Sequence, residues 1–112
     1  MKTFTRELHG TTIVDVTGDI DMSTSPSFRK ALLDSLGKAA RLAVNLTEVR
    51  YVDSSGIASL VEVLKAARNT DKRLVLFGLN EPVHEVLQLT RLTRIFEIRK
   101  TEAEAMEAWQ TE

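Results

Sequence analysis

The sequence contains no cysteine. Disulfide stapling, thiolate nucleophiles and cysteine-based zinc sites are therefore excluded. Histidine is nearly absent. His9 and His84 are the only two, so acid–base and metal chemistry have few groups to draw on. No apolar run approaches the ~20 residues of a membrane-spanning helix. No charged segment followed by an apolar stretch opens the chain. These absences imply a cytoplasmic protein with no direct membrane insertion. A dominant charge is missing too. The 15 Lys and Arg residues stand against 16 Asp and Glu, a net charge of −1. Both signs are scattered, which gives no case for a nucleic-acid or anionic-membrane partner. Two catalytic signatures are also lacking. One is the Gly-x-x-x-x-Gly-Lys loop that cradles nucleotides. The other is the Gly-x-Ser-x-Gly elbow of serine hydrolases.

What is present suits one folded domain. The 112 residues are 43% hydrophobic, enough to fill one core and too few for two. No repeat, linker or low-complexity segment divides 1–112. Thr3 to Leu8 alternates weakly and predicts an edge strand. His9-Gly10 is a turn signal. Thr11 to Thr17, with Ile13, Val14 and Val16, predicts a second strand paired to the first as a hairpin. Ser23-Thr24-Ser25-Pro26 gathers cap residues and a first-turn proline. Phe28, Leu32 and Leu36 then mark one helix face, which Gly37 ends.

Leu42 to Leu46 reads as a strand buried on both faces. Ile57, Leu60, Val61 and Leu64 follow the i, i+3, i+4, i+7 stripe of a core-facing helix. Arg73 to Phe77 is another buried strand. Val83, Val86 and Leu87 mark a third helix. Arg91 to Arg94 is a polar connection, and Ile95-Phe96-Glu97-Ile98 predicts a last strand. Thr101 with Glu104 fits a capping box, opening a helix that carries Ala105, Met106 and Trp109. The order is β-β-α-β-α-β-α-β-α. The fold class is therefore α/β, a mixed sheet of about five strands with four helices packed on it.

The chain turns on Tyr51-Val52-Asp53-Ser54-Ser55-Gly56, which closes a strand and opens the most regular helix. Asp and Ser there serve two ends. They can cap the orphan N–H groups of the first helical turn. They can equally present a hydroxyl for phosphate, since a helix N-terminus favours an anion. Gly18-Asp19-Ile20-Asp21 also follows a strand, and sequence does not prove that the two loops touch. Asp19, Asp21 and Asp53 would suit a hard cation such as magnesium, but they read more simply as cap and turn residues. Ser54 has no base placed near it by any motif, which argues against nucleophilic catalysis. Arg91, Arg94, Arg99 and Lys100 are diluted by Glu97, Glu102 and Glu104 and read as a solvated face. Trp109 reads as packing.

Together, Gly18-Asp19-Ile20-Asp21 and Val49-Arg50-Tyr51-Val52-Asp53-Ser54-Ser55-Gly56-Ile57, followed by a helix and an apolar strand, resemble the anti-sigma-factor antagonist family, the small STAS domains of bacteria. The likeness spans the chain. It implies a protein that is a phosphorylation substrate and not an enzyme, with no cofactor or metal of its own. In such a system the unphosphorylated antagonist binds an anti-sigma factor that is also a serine kinase, and the sigma factor is freed. The kinase, which brings ATP and magnesium, phosphorylates the first serine of the motif, here Ser54. A serine phosphatase resets it. The resemblance makes Asp53, Ser55, Gly56, Asp21 and Asp19 the loop and partner-binding residues around that serine. Two other outputs fit the same fold: a regulatory STAS subunit of a membrane transporter, and an interaction module in signalling that does not end in transcription.

Overall fold

The computed structural model describes residues 1–111, without the side chains of the last two of these. Strands β1 (Lys2–Leu8) and β2 (Thr11–Thr17) form the hairpin. His9 and Gly10 turn it with φ of 50° and 79°. A two-residue turn with both φ positive matches the twist of the strands it joins. Helix α1 (Ser25–Leu36), β3 (Arg41–Glu48), α2 (Ser54–Asn69), β4 (Arg73–Phe77), α3 (Glu81–Leu89), β5 (Glu97–Arg99) and α4 (Glu102–Glu107) follow in turn. The element order and the single mixed α/β sheet are those read from the sequence.

The five strands lie in the order β1-β2-β3-β4-β5. β1 is antiparallel to β2, and every later neighbour is parallel. Crossovers of one hand between successive neighbours put α1, α2 and α3 on the same face. There Phe28, Leu32, Leu60, Leu64, Val83 and Leu87 pack on Val14, Val44, Leu46 and Leu76. The other face is covered by α4 and the 3₁₀ turn after it. Ala105, Ala108 and Trp109 lie on Ile13, Ala43, Val75 and Phe77. β3 is thus buried on both sides, which is why its apolar residues run consecutively instead of alternating.

Trp109 is the anchor of that second layer. The guanidinium carbons of Arg41 and Arg73 stand 5.6 and 5.2 Å from its ring centroid, at the distance of a cation–π contact. Its indole N–H has no hydrogen-bond partner among the described residues. Arg6 ties the same layer to the edge strand. Its guanidinium bonds Asp15 at 2.7 Å and also pairs with Glu102 at the start of α4. Hydrogen bonds from Arg6 hold the Asp15 carboxylate below its usual range, against a partial loss of hydration.

The last strand is shorter than the sequence predicts and starts later. Ile95 and Phe96 both donate their N–H groups to the carbonyl of Leu92. They complete the 3₁₀ turn Leu92–Arg94 and have no backbone donor left for a ladder. Phe96 is apolar because it plugs the helical core. Of the basic residues nearby, Arg91, Arg94 and Lys100 are exposed as expected, and Arg99 is not. Arg99 is half-buried and pairs with Glu97 at 2.9 Å, and Glu97 also holds Arg73 at 2.7 Å.

Candidate functional site

The two loops singled out in the sequence meet. Ile20 and Val52 form an isolated parallel bridge beyond the ends of β2 and β3. Ile20 N–H donates to the Tyr51 carbonyl at 2.9 Å, and Asp53 N–H donates to the Ile20 carbonyl at 3.1 Å. The side chains of Ile20 and Val52 are buried, so the contact is held from below by the core. The site therefore lies at the carboxyl ends of parallel strands, where crossover sheets leave a crevice.

Each loop is organised by its aspartate. Asp53 caps α2. Its Oδ1 accepts from Ser55 N–H at 2.9 Å, from Gly56 N–H at 3.2 Å and from the Ser55 hydroxyl at 2.5 Å. Asp21 does the same work ahead of α1. Its Oδ1 accepts from the N–H and hydroxyl of Ser23 at 2.9 and 2.7 Å, and from Thr24 N–H at 3.1 Å. Thr24, formally the cap residue, makes no side-chain cap bond to the helix. Its hydroxyl donates to the Asp19 carbonyl at 3.0 Å and accepts from Asp21 N–H at 2.9 Å. Asp19 contributes backbone and an exposed side chain at the rim.

Gly56 is buried, beneath the site and not on its surface. A Cβ there would stand 2.6 Å from Val52 Cγ1 and 2.7 Å from Ile20 Cγ2. The glycine lets the first turn of α2 settle on the bridge that joins the two loops.

The two serines differ. Ser55 is half-buried, with its hydroxyl committed to Asp53. Ser54 is exposed as the first residue of α2, and its hydroxyl has no hydrogen bond among the described residues. The two loops also expose large apolar side chains. Met22 is 78% and Tyr51 53% exposed. Met22 was not legible as part of the site. Its one signal is that it interrupts a run of Asp, Ser and Thr where nothing apolar is needed locally.

Both capping carboxylates titrate below their ordinary range. For Asp53 the hydroxyl of Ser55 is the largest cause, opposed by partial desolvation and by the charge of Asp21. For Asp21 the hydroxyl of Ser23 dominates. The sign of the consequence follows. A carboxylate with a lowered folded-state pKa stabilises the fold above its unfolded value of ~3.9 and loses that contribution as pH falls through the lower folded value. Asp53→Ala should therefore lower the Tm at neutral pH and make Tm less sensitive to acid. Melting curves of wild type and variant from about pH 7 down to about pH 3 check this. Curves that stay parallel across that window would contradict it.

The two histidines lie on other elements. His9 sits in the hairpin turn at the opposite end of β2, roughly 20 Å of strand away. His84 is exposed on α3. Among the described residues, no group of three or more His, Asp or Glu side chains is placed to hold a metal ion. No helix of the described residues is long and apolar enough to cross a membrane.

The family profile of the STAS domain matches residues 4–105. An anti-sigma-B factor antagonist of Listeria monocytogenes is 37% identical over 90 residues, covering 80% of this chain and 79% of that protein. The chain is a STAS domain of the anti-sigma-factor antagonist family. A crystal structure from Thermotoga maritima, described as a candidate anti-sigma factor antagonist, superposes on this STAS domain with a TM-score of 0.88. It is 28% identical and covers 95% of this chain and 92% of that one. The anti-sigma factor antagonist SpoIIAA in its unphosphorylated form shares the fold at a TM-score of 0.80 and 18% identity, over 99% and 98% of the two chains.

Proposed function

We propose that this STAS domain is an anti-sigma-factor antagonist whose hold on its partner is set by phosphorylation of Ser54. The observation that carries the reading is the contrast between Ser54 and its surroundings. Ser54 is exposed with an unengaged hydroxyl, while the hydroxyls of Ser55 and Ser23 are donated to the carboxylates of Asp53 and Asp21. Of the two serine hydroxyls in the motif, only that of Ser54 is free, among the described residues, to enter another protein's active site. The chain supplies the acceptor. The partner, an anti-sigma factor that is also a serine kinase, supplies ATP and magnesium. A serine phosphatase removes the phosphate. The antagonist itself performs no chemistry, and its output is release of a sigma factor in the cytoplasm.

The site suits such a switch on physical grounds. Met22 and Tyr51 give a partner apolar surface to cover beside Ser54. A phosphate on Ser54 would bring roughly −1.5 to −2 charges into that covered surface, next to Asp53 and Asp21. Asp53 already occupies the N–H groups of Ser55 and Gly56, so the phosphate would face outward, toward the partner. The helix N-terminus tolerates it, so the domain itself stays folded.

The test is intact-mass analysis with site mapping after incubation with ATP, magnesium and the serine kinase of the same organism. One added phosphate is expected, on Ser54 and absent from Ser54→Ala. Phosphate on Ser55 or Ser23, or none with a kinase active on another substrate, would overturn the reading.

A further inference from the structure

A hollow that shares no lining residue with the Ser54 loop lies between α3, the 3₁₀ turn and β5. It encloses about 450 Å³ and is lined by Leu79, His84, Thr93, Ile98, Arg99 and Lys100. Ligand-binding clefts begin at roughly 300 Å³. Its place is informative. Leu79 follows the carboxyl end of β4, and Arg99 ends β5 with Lys100 just beyond it, the side of a parallel sheet where ligands gather.

Its chemistry is one-sided. The lining offers an ammonium, a guanidinium, an imidazole and a hydroxyl, and no carboxylate. Other hollows on this near-neutral protein mix signs. Asp71 lies with Lys72 and Arg73 in one, and Glu7 and Asp34 lie with Lys38 in another; His84 also lines a further hollow, with Glu81 and Glu85. The donors are also largely unspent. Arg99 gives Nη2 to Glu97 and Nη1 to the Ile98 carbonyl, which leaves its Nε–H and further amino protons available. Thr93, His84 and Lys100 make no side-chain hydrogen bond among the described residues. Leu79 and Ile98 supply an apolar wall beside them.

We propose that this hollow binds a small organic phosphate monoester. The four donor groups come from three places in the fold, and two of them are permanent cations, which suits the double charge and three terminal oxygens of a phosphate monoester better than the single charge of a carboxylate. The volume and the apolar wall leave room for a carbon body behind the charge. The site is independent of Ser54 and of the sigma-factor reading.

The experiment is an amide-resolved NMR titration of the whole chain at constant ionic strength, with phenyl phosphate, inorganic phosphate, phenylacetate and sodium chloride as probes. Saturable shifts are expected at His84, Thr93, Arg99 and Lys100 with phenyl phosphate, weaker binding of inorganic phosphate, and weaker binding still of phenylacetate. His84→Ala and Lys100→Ala, both at exposed positions, should each weaken phenyl phosphate roughly tenfold with an unchanged Tm, the worth of one charge-assisted bond. No saturation at these amides, equal shifts with chloride, tighter phenylacetate, or undiminished affinity in both variants would each overturn the proposal.

Discussion

Ser54→Asp should bind the anti-sigma partner at least ~100-fold more weakly than wild type, because a like-charged or unpaired group enclosed by an interface costs several kcal/mol. The same variant should melt within about 3 °C of wild type. The two halves of this expectation have different sources. At position 54 the side chain is exposed on the first residue of α2. A carboxylate there meets the positive end of the helix, which favours it by roughly 0.3–1 kcal/mol. It also meets Asp53 and Asp21, which repel it. These terms are small and opposed, so the fold is nearly indifferent. The interface is not, because the same charge is buried there against apolar contacts such as those of Met22 and Tyr51. Isothermal titration against the purified partner and a thermal melt read the two halves separately. Ser54→Ala serves as the control, and it should bind like wild type. A Ser54→Asp protein that unfolds, or that binds as tightly as Ser54→Ala, would remove the electrostatic basis of the switch.

Gly56→Ala should be the most damaging conservative change in the motif for stability. The added methyl would stand 2.6 Å from Val52 Cγ1 and 2.7 Å from Ile20 Cγ2. Neither neighbour is the loose end of a long side chain. Both are branches close to the backbone, and both residues are buried, at 3% and 0% exposure. Relief requires the start of α2 to lift from the bridge between Ile20 and Val52. Overpacking of this kind costs about 1–3 kcal/mol. Alanine's better helix propensity returns at most ~1 kcal/mol, and less in a first turn. A net loss of about 1–2 kcal/mol, or roughly 5–10 °C in Tm, is expected. The lift would also move Asp53 and Ser54, so phosphorylation of the variant should slow while it is still folded. A Tm equal to wild type would show that the turn has room that the contacts deny.

These two changes separate what the sequence displays from what it conceals. The stripe of Ile57, Leu60 and Leu64 and the consecutive apolar residues of β3 specify their elements locally, so they could be read residue by residue. The hairpin at His9-Gly10 was legible for the same reason. The meeting of the two loops was not. It depends on Ile20 and Val52, 32 positions apart, and nothing local distinguishes them from other buried aliphatics. The role of Gly56 follows from that contact and was hidden with it. In the motif Gly56 passes for a loop residue, whereas its work is steric and internal. Ser54 and Ser55 also look equivalent in one dimension. The cap geometry of Asp53 separates them, because it reaches two residues forward and takes the hydroxyl of Ser55. Ile95 and Phe96 misled in the opposite sense. Their apolar β-like pattern comes before the strand, since their donors close a turn on Leu92. The solvated face expected there holds for Arg91, Arg94 and Lys100, whereas Arg99 is half-buried because Glu97 of the same strand neutralises both Arg99 and Arg73.

The central claim is that a phosphate on Ser54 controls association without unfolding the domain. The most direct measurement uses the phosphorylated protein itself. The kinase reaction is separated by anion exchange into chains with and without phosphate on Ser54, and each is titrated into the purified anti-sigma partner and melted alone. The account expects tight binding of the unphosphorylated chain, binding at least ~100-fold weaker for the phosphorylated chain, and nearly superimposable melts. Equal affinities would contradict it, as would weak binding that is matched by a collapse in Tm.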